Sequence, residues 1–320
     1  MNNNEDVILP CRDGYRLAGQ LHEPAGAVRG NVVISCATGV AARYYGRYAA
    51  FLAEQGYRVL SYDYRGIGRS RPTALRRLRM RWRDWGELDF DAAVRWLRER
   101  APEGPLLAVG HSIGGFLPGF APAAVEVDRF LGVGAQYAWW RDYAAAQRGR
   151  MFARWHLAMP LLTAVCGYFP GRRLGWLEDL PAGVAYEWAR RPERMEESYP
   201  AAERDEVLAR FAAIRAPILG VSMSDDPYGT PAAIRRGLSY YRNAPRQRVE
   251  LSPAALGREA VGHFDLFREH HRAGFWTQTL AWFDEGRCPW PVAEAWPAGT
   301  LSASAAAPRP SARTGRRSSG

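Results

Sequence analysis

Ser112, His263 and one of the neighbouring pair Asp225 and Asp226 are the side chains whose types and spacing could perform nucleophilic chemistry on an acyl group. A serine hydroxyl is a poor nucleophile at neutral pH. It needs a neutral imidazole to take its proton, and the imidazole needs a carboxylate to fix its tautomer and stabilise its charged form. Ser112 lies in Gly110-His111-Ser112-Ile113-Gly114, directly after the apolar run Pro105-Leu106-Leu107-Ala108-Val109. That order predicts a buried strand, a sharp turn and a helix. Such a turn strains the serine and presents its Oγ above a sheet, beside the first backbone N–H groups of the helix. The acid pair follows the apolar segment 216–222, and two adjacent carboxylates cannot both point at one imidazole. One of them therefore faces His263 and the other closes the turn. Among the six histidines, His263 follows the strand-like segment 247–251, sits beside a glycine and comes after the acid pair, which favours it as the base. His111 precedes the serine and should turn away from it. His270 and His271 read as helix or surface contacts, and the chemistry requires no metal and no organic cofactor.

These residues need strands to carry them. Val7-Ile8-Leu9-Pro10 and 15–21 flank Arg12-Asp13-Gly14, a hairpin by turn chemistry. Segments 31–36, 58–62, 105–109, 130–135, 216–222 and 247–251 read as strands, and the helical patterns between them argue for a mostly parallel sheet covered on both faces. Asp84 and Glu87 have capping-box spacing before a helix whose buried side is Phe90, Ala93, Val94 and Leu97. Thr230 and Pro231 form an N-cap and first turn for a helix to about Arg242. A last helix follows His263. Between 137 and 213 the alternation stops, and the segment carries eleven aromatic residues from Tyr137 to Trp188. We expect an inserted helical lid there, some of its aromatics facing the site. The expected division is a core of 5–136 and 214–285, a lid of 137–213, and a C-terminal extension of 286–320, largely disordered from about 298.

With these elements in place, the chain resembles the α/β-hydrolase superfamily over roughly residues 5–285. Asp63-Tyr64-Arg65-Gly66-Ile67-Gly68-Arg69-Ser70 is similar to that superfamily's loop after the fourth strand, and serine, acid, histidine is its chain order. Gly167-Tyr168-Phe169-Pro170-Gly171, Glu178-Asp179-Leu180-Pro181 and Gly262-His263-Phe264 resemble a bacterial group related to the serine aminopeptidase-like branch. The resemblance implies an eight-stranded, mostly parallel sheet and hydrolysis of an ester, thioester or amide, without naming a substrate. It favours Asp226 as the acid, with Asp225 as the alternative. Ala37-Thr38-Gly39-Val40 stands at the oxyanion loop, with Thr38 where a histidine is common. The oxyanion donors implied are the backbone N–H groups of Val40 and Ile113.

Composition narrows the alternatives. The 320 residues, 47% hydrophobic, suffice for one large core. Net charge is +10, and all 43 basic side chains are arginine. A run from Arg65 to Arg83 meets no acid until Asp84, but no nucleic-acid motif accompanies it, and local ion pairs are the expected fate. Cys11, Cys36, Cys166 and Cys288 are scattered, which suits a reducing cytoplasm. The apolar stretch Leu157 to Phe169 is too short for a bilayer, which takes about 20 residues. The partner expected is a small-molecule acyl substrate. Acyl transfer on the same triad and a non-catalytic ligand-binding protein of this fold are the alternative readings.

Overall fold

A computed structural model describes residues 3–300. The sheet is built from β1 (Asn3–Pro10), β2 (Arg16–Glu23), β3 (Gly30–Ser35), β4 (Tyr57–Tyr62), β5 (Leu106–His111) and β6 (Arg129–Val133). The short strands β7 (Tyr168–Phe169) and β8 (Leu180–Pro181) form a separate antiparallel pair, and β9 (Ile218–Met223), β10 (Arg246–Leu251) and β11 (Glu294–Trp296) complete the main sheet. Its order is β1-β2-β4-β3-β5-β6-β9-β10-β11. From β4 to β10 neighbouring strands are parallel, whereas β1, β2 and β11 join antiparallel at the two ends. Every residue of β3, β5 and β9 is buried. That is why these strands read as continuous apolar runs: helices cover both faces. Helix α1 (Gly46–Glu54) buries Tyr48, Phe51 and Leu52, and α2 (Asp91–Arg100) buries Ala93, Val94 and Leu97.

Several expectations change. Nine strands, not eight, form the main sheet, because Glu294–Trp296 pairs with β10. The extension after 286 is thus partly core: Trp290 is buried and stacks on Phe275 with ring centroids 5.3 Å apart. Of the expected disordered tail, Gly299 donates to the Arg242 carbonyl (2.7 Å) and the Thr300 carbonyl accepts from Arg246; positions 301–320 lie outside the described residues. Behind Ser112 there is no α-helix. Three short 3₁₀ turns, Ser112–Gly115, Leu117–Phe120 and Pro122–Glu126, follow one another, since Gly114, Gly115, Pro118, Gly119 and Pro122 interrupt α-helical bonding. Asp84 does not form a capping box; its carboxylate accepts the Arg81 N–H, and the helix opens with a π turn, Trp85–Phe90. After His263 come 3₁₀ turns and a π turn before regular helix begins at Thr277.

The segment between β6 and β9 holds α3 (Arg148–Phe152), α4 (Met159–Cys166), the β7–β8 pair, α5 (Gly171–Leu174), α6 (Ala182–Ala189) and α7 (Arg204–Ala213). After β9, α8 (Pro231–Ser239) opens as expected, the Thr230 hydroxyl accepting the Ala233 N–H. The final helix is α9 (Thr277–Glu285). No helix among the described residues is long and apolar enough to cross a membrane.

Candidate active site

Parallel strands β5, β9 and β10 end on the same edge of the sheet, and the loops after them bring together residues distant in sequence. Ser112 follows β5 directly and has φ of 56°, the left-handed region that a non-glycine residue rarely occupies. The neighbouring glycines make that turn possible. A Cβ on Gly110 would lie 2.3 Å from the Gly115 Cα, and one on Gly114 would lie 2.4 Å from the Ser35 carbonyl oxygen.

Asp226, at the turn after β9, is 4% exposed and its Oδ2 is 2.7 Å from His263 Nδ1. Its Oδ1 accepts the N–H groups of Tyr228 (2.7 Å) and Gly229 (2.9 Å), so this one carboxylate both closes the turn and meets the imidazole. Burial pushes the Asp226 carboxyl upward, but the His263 ring and the bonds from His263, Gly229 and Tyr228 outweigh it and hold the pKa below the ordinary carboxylate value. Asp225 points elsewhere. Its Oδ2 accepts the N–H groups of Val261 (2.8 Å) and Gly262 (2.9 Å), which anchors the loop bearing His263. Adjacent carboxylates thus divide the work: one holds the ring and the other holds its backbone.

With Nδ1 engaged, Nε2 is the ring nitrogen left to take a proton. Ser112 and His263 line one cavity of about 150 Å³. Among the described residues no hydrogen bond joins the Ser112 Oγ to the ring; the Oγ accepts from Gln136 Nε2 at 3.3 Å. Serine–imidazole bonds are commonly loose without ligand and tighten when one binds.

The oxyanion loop requires a correction. Val40 donates its N–H to the Ala37 carbonyl (3.2 Å) and does not line the cavity, because residues 37–40 close a turn on themselves. Thr38, the second residue of that turn, lines the cavity beside Ser112 and Ile113, and its N–H has no acceptor among the described residues. Ile113 lies in the first helical turn, where backbone N–H groups have no acceptor within the helix.

His111 turns away from the cavity, as expected, and its contacts go beyond what its position in the motif suggests. It is fully buried, with Nδ1 2.7 Å from the Tyr45 hydroxyl and Nε2 2.8 Å from the His263 carbonyl oxygen. The same tyrosine hydroxyl accepts the Ala37 N–H at 2.9 Å. One imidazole therefore ties the turn of Ser112 to both the loop of His263 and the oxyanion loop. Burial, then the neighbouring His263, lowers its pKa to about 3, so it is neutral at neutral pH.

The far wall comes from the segment between β6 and β9, which contributes Trp155, Trp176, Leu177 and Trp188 together with Arg154 and Arg191. Trp155 and Trp188 stack at 4.7 Å, and Trp155 Nε1 donates to the Tyr228 hydroxyl (3.0 Å). Gln136, Tyr228 and both arginines were not distinguished by the sequence, which carried no local motif around them.

A family model described as serine aminopeptidase, S33, matches residues 26–158, from before β3 to just before α4, a stretch that includes Ser112 but neither Asp226 nor His263. No curated protein sequence matches the chain. Among solved structures, the Pyrococcus furiosus esterase Pf2001 superposes with a TM-score of 0.52 at 16% identity, covering 88% of this chain and 91% of that one. The hypothetical protein PA2218 from Pseudomonas aeruginosa gives 0.57 at 18% identity, covering 89% and 94%. The chain has the α/β-hydrolase fold. The Pyrococcus horikoshii acylaminoacyl peptidase is similar over 91% of this chain but 42% of its own length, with a TM-score of 0.55 at 13% identity. The match over 26–158 is thus to a serine aminopeptidase-like model, and the superpositions are to proteins of the same fold.

Proposed function

We propose that the protein is a serine hydrolase that cleaves an acyl ester or thioester through an acyl-enzyme intermediate. The observation that carries this reading is the buried Asp226–His263 pair at 2.7 Å facing the same cavity as Ser112, whose backbone is held at φ 56°. The Ser112 Oγ attacks the acyl carbon while His263 Nε2 takes its proton, and Asp226 stabilises the resulting imidazolium. The tetrahedral oxyanion accepts the N–H groups of Ile113 and Thr38, the latter in place of Val40. Loss of one such donor costs about 10²–10³ in turnover. Collapse breaks the bond to the leaving alcohol or thiol, which takes the proton from His263. Water then gives a proton to the same nitrogen and attacks the acyl-enzyme; collapse breaks the bond to the Ser112 Oγ, which takes that proton back from His263 as the acid leaves. We assign residues 137–213 the role of a cap over this site, on the core of 5–136 and 214–285, with the aromatic wall limiting water around the acyl-enzyme.

Turnover of p-nitrophenyl butyrate and of a butyryl thioester tests the reading. Ser112→Ala should lower kcat by about 10⁴ or more while leaving the melting temperature within about 2 °C. Comparable turnover by the variant would exclude Ser112 as the nucleophile.

A further inference from the structure

The cavity holds a buried arginine that forms no ion pair among the described residues. Arg191 is 6% exposed, and its one hydrogen bond from the guanidinium runs from Nη1 to the Tyr137 carbonyl at 2.7 Å. Its Nε is buried without an acceptor, and no carboxylate forms an ion pair with it among the described residues. The group is nevertheless fixed in place. Its guanidinium carbon lies 4.4 Å from the centroid of Trp82 and 5.5 Å from that of Tyr137. The three other buried arginines among the described residues have more partners: Arg65 pairs with Asp13 and Asp89, Arg248 with Glu250 and Glu294, and Arg246 donates to three carbonyl oxygens. An unanswered buried cation is costly, and a guanidinium held by stacking presents a planar fork that matches a carboxylate.

The surroundings agree. No Asp or Glu lines this cavity, and a second arginine does. Arg154 is exposed, lies over Trp176 at 4.5 Å and forms no ion pair among the described residues. Glu187, which influences Arg191 electrostatically, is already engaged with the Trp82 N–H at 2.9 Å. The cavity therefore joins an apolar aromatic wall to two positive charges beside the serine. Resting on the serine-hydrolase reading, we infer that the substrate is an ester or thioester carrying a carboxylate, and that Arg191 binds that carboxylate, with Arg154 assisting.

Two pairs of esters differing in one negative charge test this. Mono-p-nitrophenyl glutarate is compared with p-nitrophenyl pentanoate for a carboxylate on the acyl side, and 4-acetoxybenzoate with its methyl ester for one on the leaving group. In at least one pair the charged member should have the higher kcat/KM, by about tenfold, and Arg191→Gln should lower that ratio by about tenfold. A purely structural arginine would slow both members alike and leave the ratio unmoved, which would overturn the inference; so would preference of the native protein for the neutral member in both pairs. Arg154→Gln, at an exposed position, should lower the same ratio by a smaller factor and guards against misfolding of the Arg191 variant. If no ester is turned over, the hydrolase reading fails, and the carboxylate site is judged by calorimetry with glutarate. Binding that weakens about tenfold in Arg191→Gln supports the site. Absence of glutarate binding, or tighter binding of inorganic phosphate, overturns it.

Discussion

The loop after β4 and the wall of the cavity both bury arginine, and they treat it in opposite ways. In the loop, Arg65 is 4% exposed and fully engaged: Nε meets Asp89 at 2.6 Å, Nη1 meets Asp13 at 2.6 Å, and its backbone N–H also goes to Asp89. Asp63 in the same loop accepts the N–H groups of Ala42 and Arg69. In the basic run that follows, Arg69, Arg71 and Arg83 pair with Asp6, Asp179 and Glu203. At the cavity, Arg191 is equally buried and has one carbonyl for a partner. A closed network of charges serves the fold. An open one, beside Ser112 and the Asp226–His263 pair, serves something that enters from outside.

Breaking each side should therefore damage different properties. Asp226→Asn preserves the shape of the carboxylate but not its charge or its hold on the imidazole, and should cost about 10⁴ in kcat with little loss of stability. On the closed side, Asp89→Ala leaves a buried guanidinium half paired and should cost about 3–5 kcal/mol in denaturant unfolding, with residual activity proportional to the folded fraction. Asp225→Asn sharpens the comparison because it lies next to Asp226 but touches only the Val261 and Gly262 N–H groups. It should lower kcat less than about tenfold, through looser placement of His263. If Asp225→Asn matched Asp226→Asn in kcat, the division between ring-holding and backbone-holding carboxylates would fail.

The scaffold was more legible in the sequence than the cavity. Continuous apolar runs such as Val32-Val33-Ile34 and Leu106 to Val109 reveal strands buried on both faces, because each run is locally complete. Ser112 and His263 were visible for a similar reason: a strand end beside glycine is a local signal. The choice between Asp225 and Asp226 depends on which carboxylate spans 37 positions to His263, and the residues alone do not encode that distance. Val40 was misplaced because the turn at 37–40 consumes its N–H, a consequence of backbone geometry at Gly39, whose φ is 65°. The helix expected behind Ser112 dissolved into 3₁₀ turns despite suitable apolar spacing, and the prolines and glycines that caused it were in plain view. Arg191 was indistinguishable from 42 other basic residues, because what sets it apart is burial without a carboxylate partner among the described residues, visible only in three dimensions.

The most direct test of the central claim is covalent labelling with a fluorophosphonate, mapped by peptide mass spectrometry in the native protein, Ser112→Ala and His263→Ala. An activated serine should carry the adduct at Ser112 in the native protein, lose it completely in Ser112→Ala and nearly so in His263→Ala. Folded native protein that takes no label at Ser112, or label at Ser112 that persists undiminished without His263, would contradict the account.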